Sequence, residues 1–118
     1  GYEIGRILKK ETIFCERVNG KFMLRRGFQI KKGTKVLIIE DVITTGKSSL
    51  ECVKLITKSK AKLIGFASII DRSTKKSLKI KNKIISHMKI KVPTFKKSQL
   101  PHALKNIVIT TPGSRFVK

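Results

Sequence analysis

Apolar and polar residues alternate along this chain in two rhythms. Near the start, Ile4, Ile7 and Leu8 recur at helical spacing, so residues 1–10 read as the back half of an amphipathic helix. Two short β-prone runs follow, TIFCER at 12–17 and KFMLRR at 21–26, with Asn19-Gly20 between them. Asn-Gly there predicts a hairpin, because both central positions of a type I′ turn require positive φ. Gly27 and Lys32-Gly33-Thr34 punctuate the next connection. Val36–Ile39 is unbroken aliphatic, the signature of a strand covered on both faces of a parallel sheet. From Lys47 to Lys58 the period becomes helical, with Leu50, Val53 and Ile56 on one face. LIGFASII, 63–70, predicts a second fully buried strand, and KIISHMKIKV, 83–92, another. The lysine-rich stretch from Ser73 to Lys83 reads as surface loop or short helix, and QLPHALKN as a helical turn. Strands alternating with helices predict an α/β fold with a mainly parallel sheet and right-handed crossovers. A chain of 118 residues holds one such domain.

Charge changes this picture less than its size suggests. The formal net charge is +21, yet 22 of the 28 cations are Lys, only 6 are Arg, and the lysines are scattered from Lys9 to Lys118. Heavy Lys and Ile usage is typical of AT-rich coding sequence, whereas nucleic-acid sites favour clustered Arg with interleaved aromatics. With one Tyr and no Trp, specific nucleic-acid binding is not expected, leaving only weak attraction to polyanions. Cys15 and Cys52 form no metal-ligand spacing and read as two buried thiols of a reducing cytoplasm. No apolar run approaches the roughly 18 residues of a membrane span. His87 and His102 fit no chemical role.

The chemistry gathers in VLIIEDVITTGKSSLE, residues 36–51. A strand, a short loop and a helix start make a phosphate site, since unpaired amides and the helix dipole face the loop. Thr44, Thr45 and Ser48 add hydroxyls, and Gly46 lets the backbone approach a ligand. The loop is not a nucleotide-binding P-loop, because G-x-x-x-x-G-K-[ST] needs glycine where Asp41 stands. Two carboxylates beside a phosphate suit a neutral polyol. Glu40 and Asp41 at the strand's end can accept hydrogen bonds from a ribose 2′- and 3′-OH while Thr44–Ser48 hold its 5′-phosphate.

At these residues a resemblance becomes visible. VLIIEDVITTG-x-S resembles the phosphoribosyl pyrophosphate (PRPP) motif of type I phosphoribosyltransferases, whose core is Rossmann-like. FCERVNGKFMLRRGF at 14–28, ASIIDRS at 67–73, VPTF at 92–95 and the terminal PGSR at 112–115 are similar to one bacterial branch of orotate phosphoribosyltransferases. The resemblance implies transfer of a phosphoribosyl group from PRPP to orotate in de novo pyrimidine (UMP) biosynthesis, by a pentosyltransferase. It implies PRPP binding by Glu40, Asp41, Val42, Ile43, Thr44, Thr45, Gly46, Lys47 and Ser48, within a strand–loop–helix unit at 36–59. Thr44 and Arg72 are implied to meet orotate, the Arg fork matching a carboxylate or imide edge.

The hairpin at 17–26 lies where the family has a mobile loop closing over pyrophosphate, so Lys21, Arg25 and Arg26 are implied as catalytic cations. It lacks the K-x-K-x-H pattern of many members, and Lys47 stands where a small or neutral residue is usual. Mg²⁺ is implied as cofactor, held mainly by PRPP and pyrophosphate with no direct protein ligand. A cytoplasmic homodimer without membrane or specific nucleic-acid partners is implied as well. The family also has a leading segment that supplies a hood over orotate, the first core elements and a pyrophosphate loop. Residues 1–118 resemble the C-terminal portion, a partial core expected to bind PRPP weakly and to turn over little orotate alone. The alternatives are a type I phosphoribosyltransferase acting on a purine base and a PRPP-binding regulator.

Overall fold

The computed structural model describes residues 1–108, apart from the side chain of Lys97. PGSR, 112–115, therefore lies outside the described residues. Helix α1 spans Tyr2–Leu8, and strands β1 (Cys15–Val18) and β2 (Lys21–Leu24) form an antiparallel hairpin. Asn19 and Gly20 take φ of 47° and 76°, the left-handed pair that this turn demands. Strand β3 (Lys35–Ile43), helix α2 (Lys47–Lys58) and strand β4 (Lys62–Asp71) form one β–α–β unit, and β5 (Ile84–Lys89) completes the sheet. Its order is β3-β4-β5, parallel throughout. A single 3₁₀ turn (Lys97–Gln99) and a short helix α3 (His102–Lys105) follow, so QLPHALKN does hold a helical turn.

The core lies between α2 and one face of this sheet. Ile38 pairs with Phe66, both are buried, and Ile56 of α2 joins them, with Leu50, Val53, Leu63 and Ile84 packed around. The apolar stripe of α2 is thus spent on the sheet, which explains why a helix of mixed composition holds its place. Ser68 also lies on this face, and among the described residues its buried hydroxyl has no hydrogen-bond partner.

Two expectations change. The strand carrying the acidic pair runs through Ile43 instead of stopping near Ile39, because β3 keeps its ladder with β4 as far as the Ile43–Asp71 pair. LIGFASII is not buried on both faces. Ile69 and Ile85 are 59% and 67% exposed, and the register places them on one face with Leu37, away from α2. The aliphatic run signalled a two-sided environment, and the described residues cover one side. Helix α1 likewise leaves Tyr2, Ile7 and Leu8 exposed and buries only Gly5.

Among the described residues this apolar face is uncovered and β3 and β5 are sheet edges, an arrangement that promotes self-association. Ile69→Lys with Ile85→Lys should shrink the scattering of concentrated protein. Its melting stability should shift by only about 0.5 kcal/mol, as is usual for exposed positions. Unchanged self-association would move the sticky surface elsewhere.

Cys15 and Cys52 are half-buried free thiols, one on β1 and one on α2. Burial, helped by the neighbouring thiol, Glu40 and Glu51, pushes Cys52 up to about 12. It therefore stays protonated and unreactive at neutral pH.

Candidate functional site

A cavity of about 600 Å³ opens where β3 passes into α2. It is lined by every residue from Glu40 to Ser49, together with Arg17 and Glu51. The whole run singled out from the sequence for PRPP thus meets at one place. Gly46 precedes α2 with φ 71°, a left-handed value that needs glycine. No side chain caps this helix start, and the Lys47 N–H reaches only back to Thr45 Oγ1 at 3.3 Å. The first-turn residues Lys47, Ser48 and Ser49 line the cavity, and amides at such a helix start have no intrahelical partner and sit at the positive end of the helix dipole. Thr44, Thr45 and Lys47 are exposed, Ser48 is half-buried, and Ile43 is buried beneath them.

The two acids are held differently. Glu40 is half-buried, and its Oε1 accepts a 2.8 Å hydrogen bond from the hydroxyl of Ser49, a residue only 1% exposed. Asp41 is exposed, and its Oδ1 accepts the Val42 N–H at 2.7 Å. Glu40 is therefore fixed against α2, while Asp41 stands free at the rim.

Arg72 begins the segment after β4. Its N–H donates to the Ile43 carbonyl at 2.8 Å, which sets it beside Thr44, but its exposed side chain does not line the cavity. Asp71, just before it, is 5% exposed and accepts the Ser73 N–H at 2.8 Å, with Lys89 Nζ 3.4 Å from its other oxygen. Burial works against this charge, but the hydrogen bonds of Ser73 and the Lys89 ammonium outweigh it and hold the carboxyl below the usual range. A depressed carboxylate stabilises the fold above its unfolded pKa of about 3.9 and loses that contribution as pH falls through the lower folded value. Asp71→Asn should therefore flatten the dependence of melting temperature on pH below about pH 4. An unchanged acid slope would remove Asp71 from the account.

None of Lys21, Arg25 and Arg26 lines the cavity. Arg25 and Arg26 bind Glu16 at 3.2 and 3.0 Å, Arg26 also lies over the Phe14 ring, and Lys21 is exposed at the start of β2. The hairpin cation at the cavity is Arg17, 3.1 Å from Glu51 of α2, stacked over Phe22 and donating to the Gly20 carbonyl. Sequence reading passed over Arg17 and Glu51 because their meeting depends on how the hairpin leans on α2. Ser49 was missed too, although its place three residues after Gly46 marks the inner side of the first helical turn.

The stretch from Ser73 to Lys83 is an irregular, largely exposed loop, as expected, but Ser73 and Ile80 within it are buried and it crosses the Thr44–Ser48 turn. The Lys79 N–H donates to the Thr45 carbonyl at 3.0 Å, and Ile80 is buried in the core. His87 and His102 are exposed and away from the cavity.

A three-stranded parallel sheet with a strand end that carries two acids, followed by a glycine turn into a helix packed on that sheet, defines an α/β domain of the Rossmann-like class. Residues 6–101 match the family described as Phosphoribosyl transferase domain, and the chain belongs to that family with the type I fold. It is 42% identical over 117 residues to an orotate phosphoribosyltransferase of Parvibaculum lavamentivorans, covering 99% of this chain and 60% of that one. It is 40% identical to the one of Erythrobacter litoralis over 98% of this chain and 59% of that one. The chain thus spans about three fifths of the length of these curated relatives. Among solved structures, an adenine phosphoribosyltransferase of Thermoanaerobacter pseudethanolicus superposes with a TM-score of 0.57 at 16% identity. That superposition covers 76% of this chain and 62% of that one, a likeness of fold alone. Among the described residues, no helix is long and apolar enough to cross a membrane.

Proposed function

We propose that this chain carries the PRPP site of an orotate phosphoribosyltransferase. The observation that carries the reading is the single cavity uniting Glu40 and Asp41 with the Thr44–Ser48 turn. The acids accept the ribose hydroxyls, and the turn's amides and hydroxyls take the 5′-phosphate. Bond breaking at the sugar leaves cationic character there and anionic charge on pyrophosphate, so the protein's part is positioning and electrostatics. Arg17 already stands at the cavity, and Lys21, Arg25 and Arg26 lie on the same hairpin, whose closure would bring further cations to the leaving group. Thr44 and Arg72 hold orotate from adjoining strand ends. No protein nucleophile is required.

Mg²⁺ suits this donor set when it arrives on substrate oxygens. The described residues form no cluster of three or more His, Cys, Asp or Glu, and the ion binds well through one or two carboxylates plus phosphates. Bound there it would neutralise pyrophosphate charge. We place the reaction in cytoplasmic pyrimidine synthesis, carried out by a homodimer.

The test joins this chain to the unmatched segment of the Parvibaculum relative and offers orotate, adenine and hypoxanthine with PRPP. Orotate turnover, lost in Arg72→Ala, is the expected result, and preference for a purine would overturn it. The 118 residues alone should bind PRPP weakly and turn over little, and a robust steady-state rate from them would contradict that.

A further inference from the structure

The lysine-rich crossing segment makes its contacts at the centre of the phosphate turn. A Cβ built on Gly46 would lie 2.5 Å from Ile80 Cδ1 and 2.6 Å from its Cγ1, so the Ile80 side chain rests directly on the Gly46 backbone. Ile80 is 5% exposed and belongs to the core, which makes this contact a fixed one. One residue earlier, the Lys79 N–H holds the Thr45 carbonyl at 3.0 Å. In a trans peptide the carbonyl of Thr45 and the N–H of Gly46 point in opposite directions. Tying that carbonyl to the crossing segment therefore turns the Gly46 N–H away from it, and Ile80 on the Cα opposes a flip of the peptide.

The segment is itself anchored at its root. Arg72 N–H bonds the Ile43 carbonyl, Ser73 N–H bonds Asp71, and a tight turn is closed by Leu78 N–H to the Thr74 carbonyl at 2.9 Å. We infer that residues 73–83 form a positioning strap for the phosphate turn, with Ile80 and the Lys79 N–H presetting the amides that receive the phosphate. The strap starts immediately after Arg72, so it also couples the base-side residue to the phosphate side. Preset donors bind an anion without first being ordered, and their loosening costs affinity.

This inference rests on the reading of Thr44–Ser48 as a phosphate site, and its test separates the two. Ribose 5-phosphate is titrated calorimetrically into the 118-residue chain, and amide hydrogen exchange is followed at Gly46–Ser48, with Ile56 as internal reference. Ile80→Ala and Lys79→Pro should each weaken binding by roughly tenfold or more, whereas Lys79→Ala, which loses the side chain but keeps the tying N–H, should not. The two weakened variants should speed exchange in the turn but not at Ile56. Ile80→Val, which keeps a branched side chain on Gly46, should largely restore both readings. Ile80→Ala or Lys79→Pro, folded, with wild-type affinity and exchange would overturn the strap. If Ile80→Ala fails to fold, Lys79→Pro decides alone. If the unaltered chain does not bind ribose 5-phosphate, the phosphate-site reading fails, while faster exchange still supports the strap and unchanged exchange still overturns it.

Discussion

Replacing Glu40 and Asp41 together by Gln and Asn should weaken PRPP binding by roughly a hundredfold or more, since each charge-assisted hydrogen bond contributes about 1.5–3 kcal/mol. The single changes should differ in kind. Asp41 is exposed and bonded only to the adjacent Val42 N–H, so Asp41→Asn should lower affinity with little change in melting temperature. Glu40 also serves the fold, because its carboxylate accepts the hydroxyl of buried Ser49. Glu40→Gln keeps an acceptor there and should act mainly on binding. Glu40→Ala strands the Ser49 hydroxyl and should cost an additional 1–3 kcal/mol or so of stability. Calorimetry with PRPP and thermal melting on the same four variants separate these effects. Unchanged affinity in the double variant would remove the ribose from the site.

The contrast between these neighbours shows where sequence was informative. Helix α2 could be bounded at Lys47 and Lys58 because its start follows a glycine turn and its apolar stripe is periodic, both local properties. Asn19-Gly20 announced the hairpin for the same reason, its turn being a matter of two φ angles. The end of β3 was not local. Glu40 and Asp41 look like a loop beginning, yet the ladder to β4 carries the strand on to Ile43. The strap was less legible still. Ile80 is one apolar residue among lysines, and its burial depends on which turn the chain later crosses. Arg17 looked no different from the other hairpin cations until α2 placed Glu51 opposite it. At the acid-and-glycine run itself, composition, order and chemistry pointed the same way, and so the candidate site was visible before the elements that hold it.

Gly46→Ala should be strongly destabilising, because it meets two separate costs. The backbone there has φ 71°, and a side chain in the left-handed region costs roughly 1–2 kcal/mol. The new methyl would also run into Ile80 Cδ1 and Cγ1, and forcing extra volume into packed surroundings costs about 1–3 kcal/mol. A double-mutant cycle distinguishes them. Ile80→Val removes the Cδ1 contact and leaves a γ-carbon in place, so it should relieve part of the steric cost. Ile80→Ala removes both contacts and should relieve all of it. In the Ile80→Ala background, Gly46→Ala should therefore cost about 1 kcal/mol less, or better, than in the unaltered chain, leaving the φ penalty behind. Urea unfolding of the four proteins measures this term. Ribose 5-phosphate affinity should stay poor in every Gly46→Ala protein, since the turn cannot keep its amides in place once its left-handed residue is lost. Strict additivity in stability would mean that Ile80 does not press on Gly46, and the strap would lose its main contact.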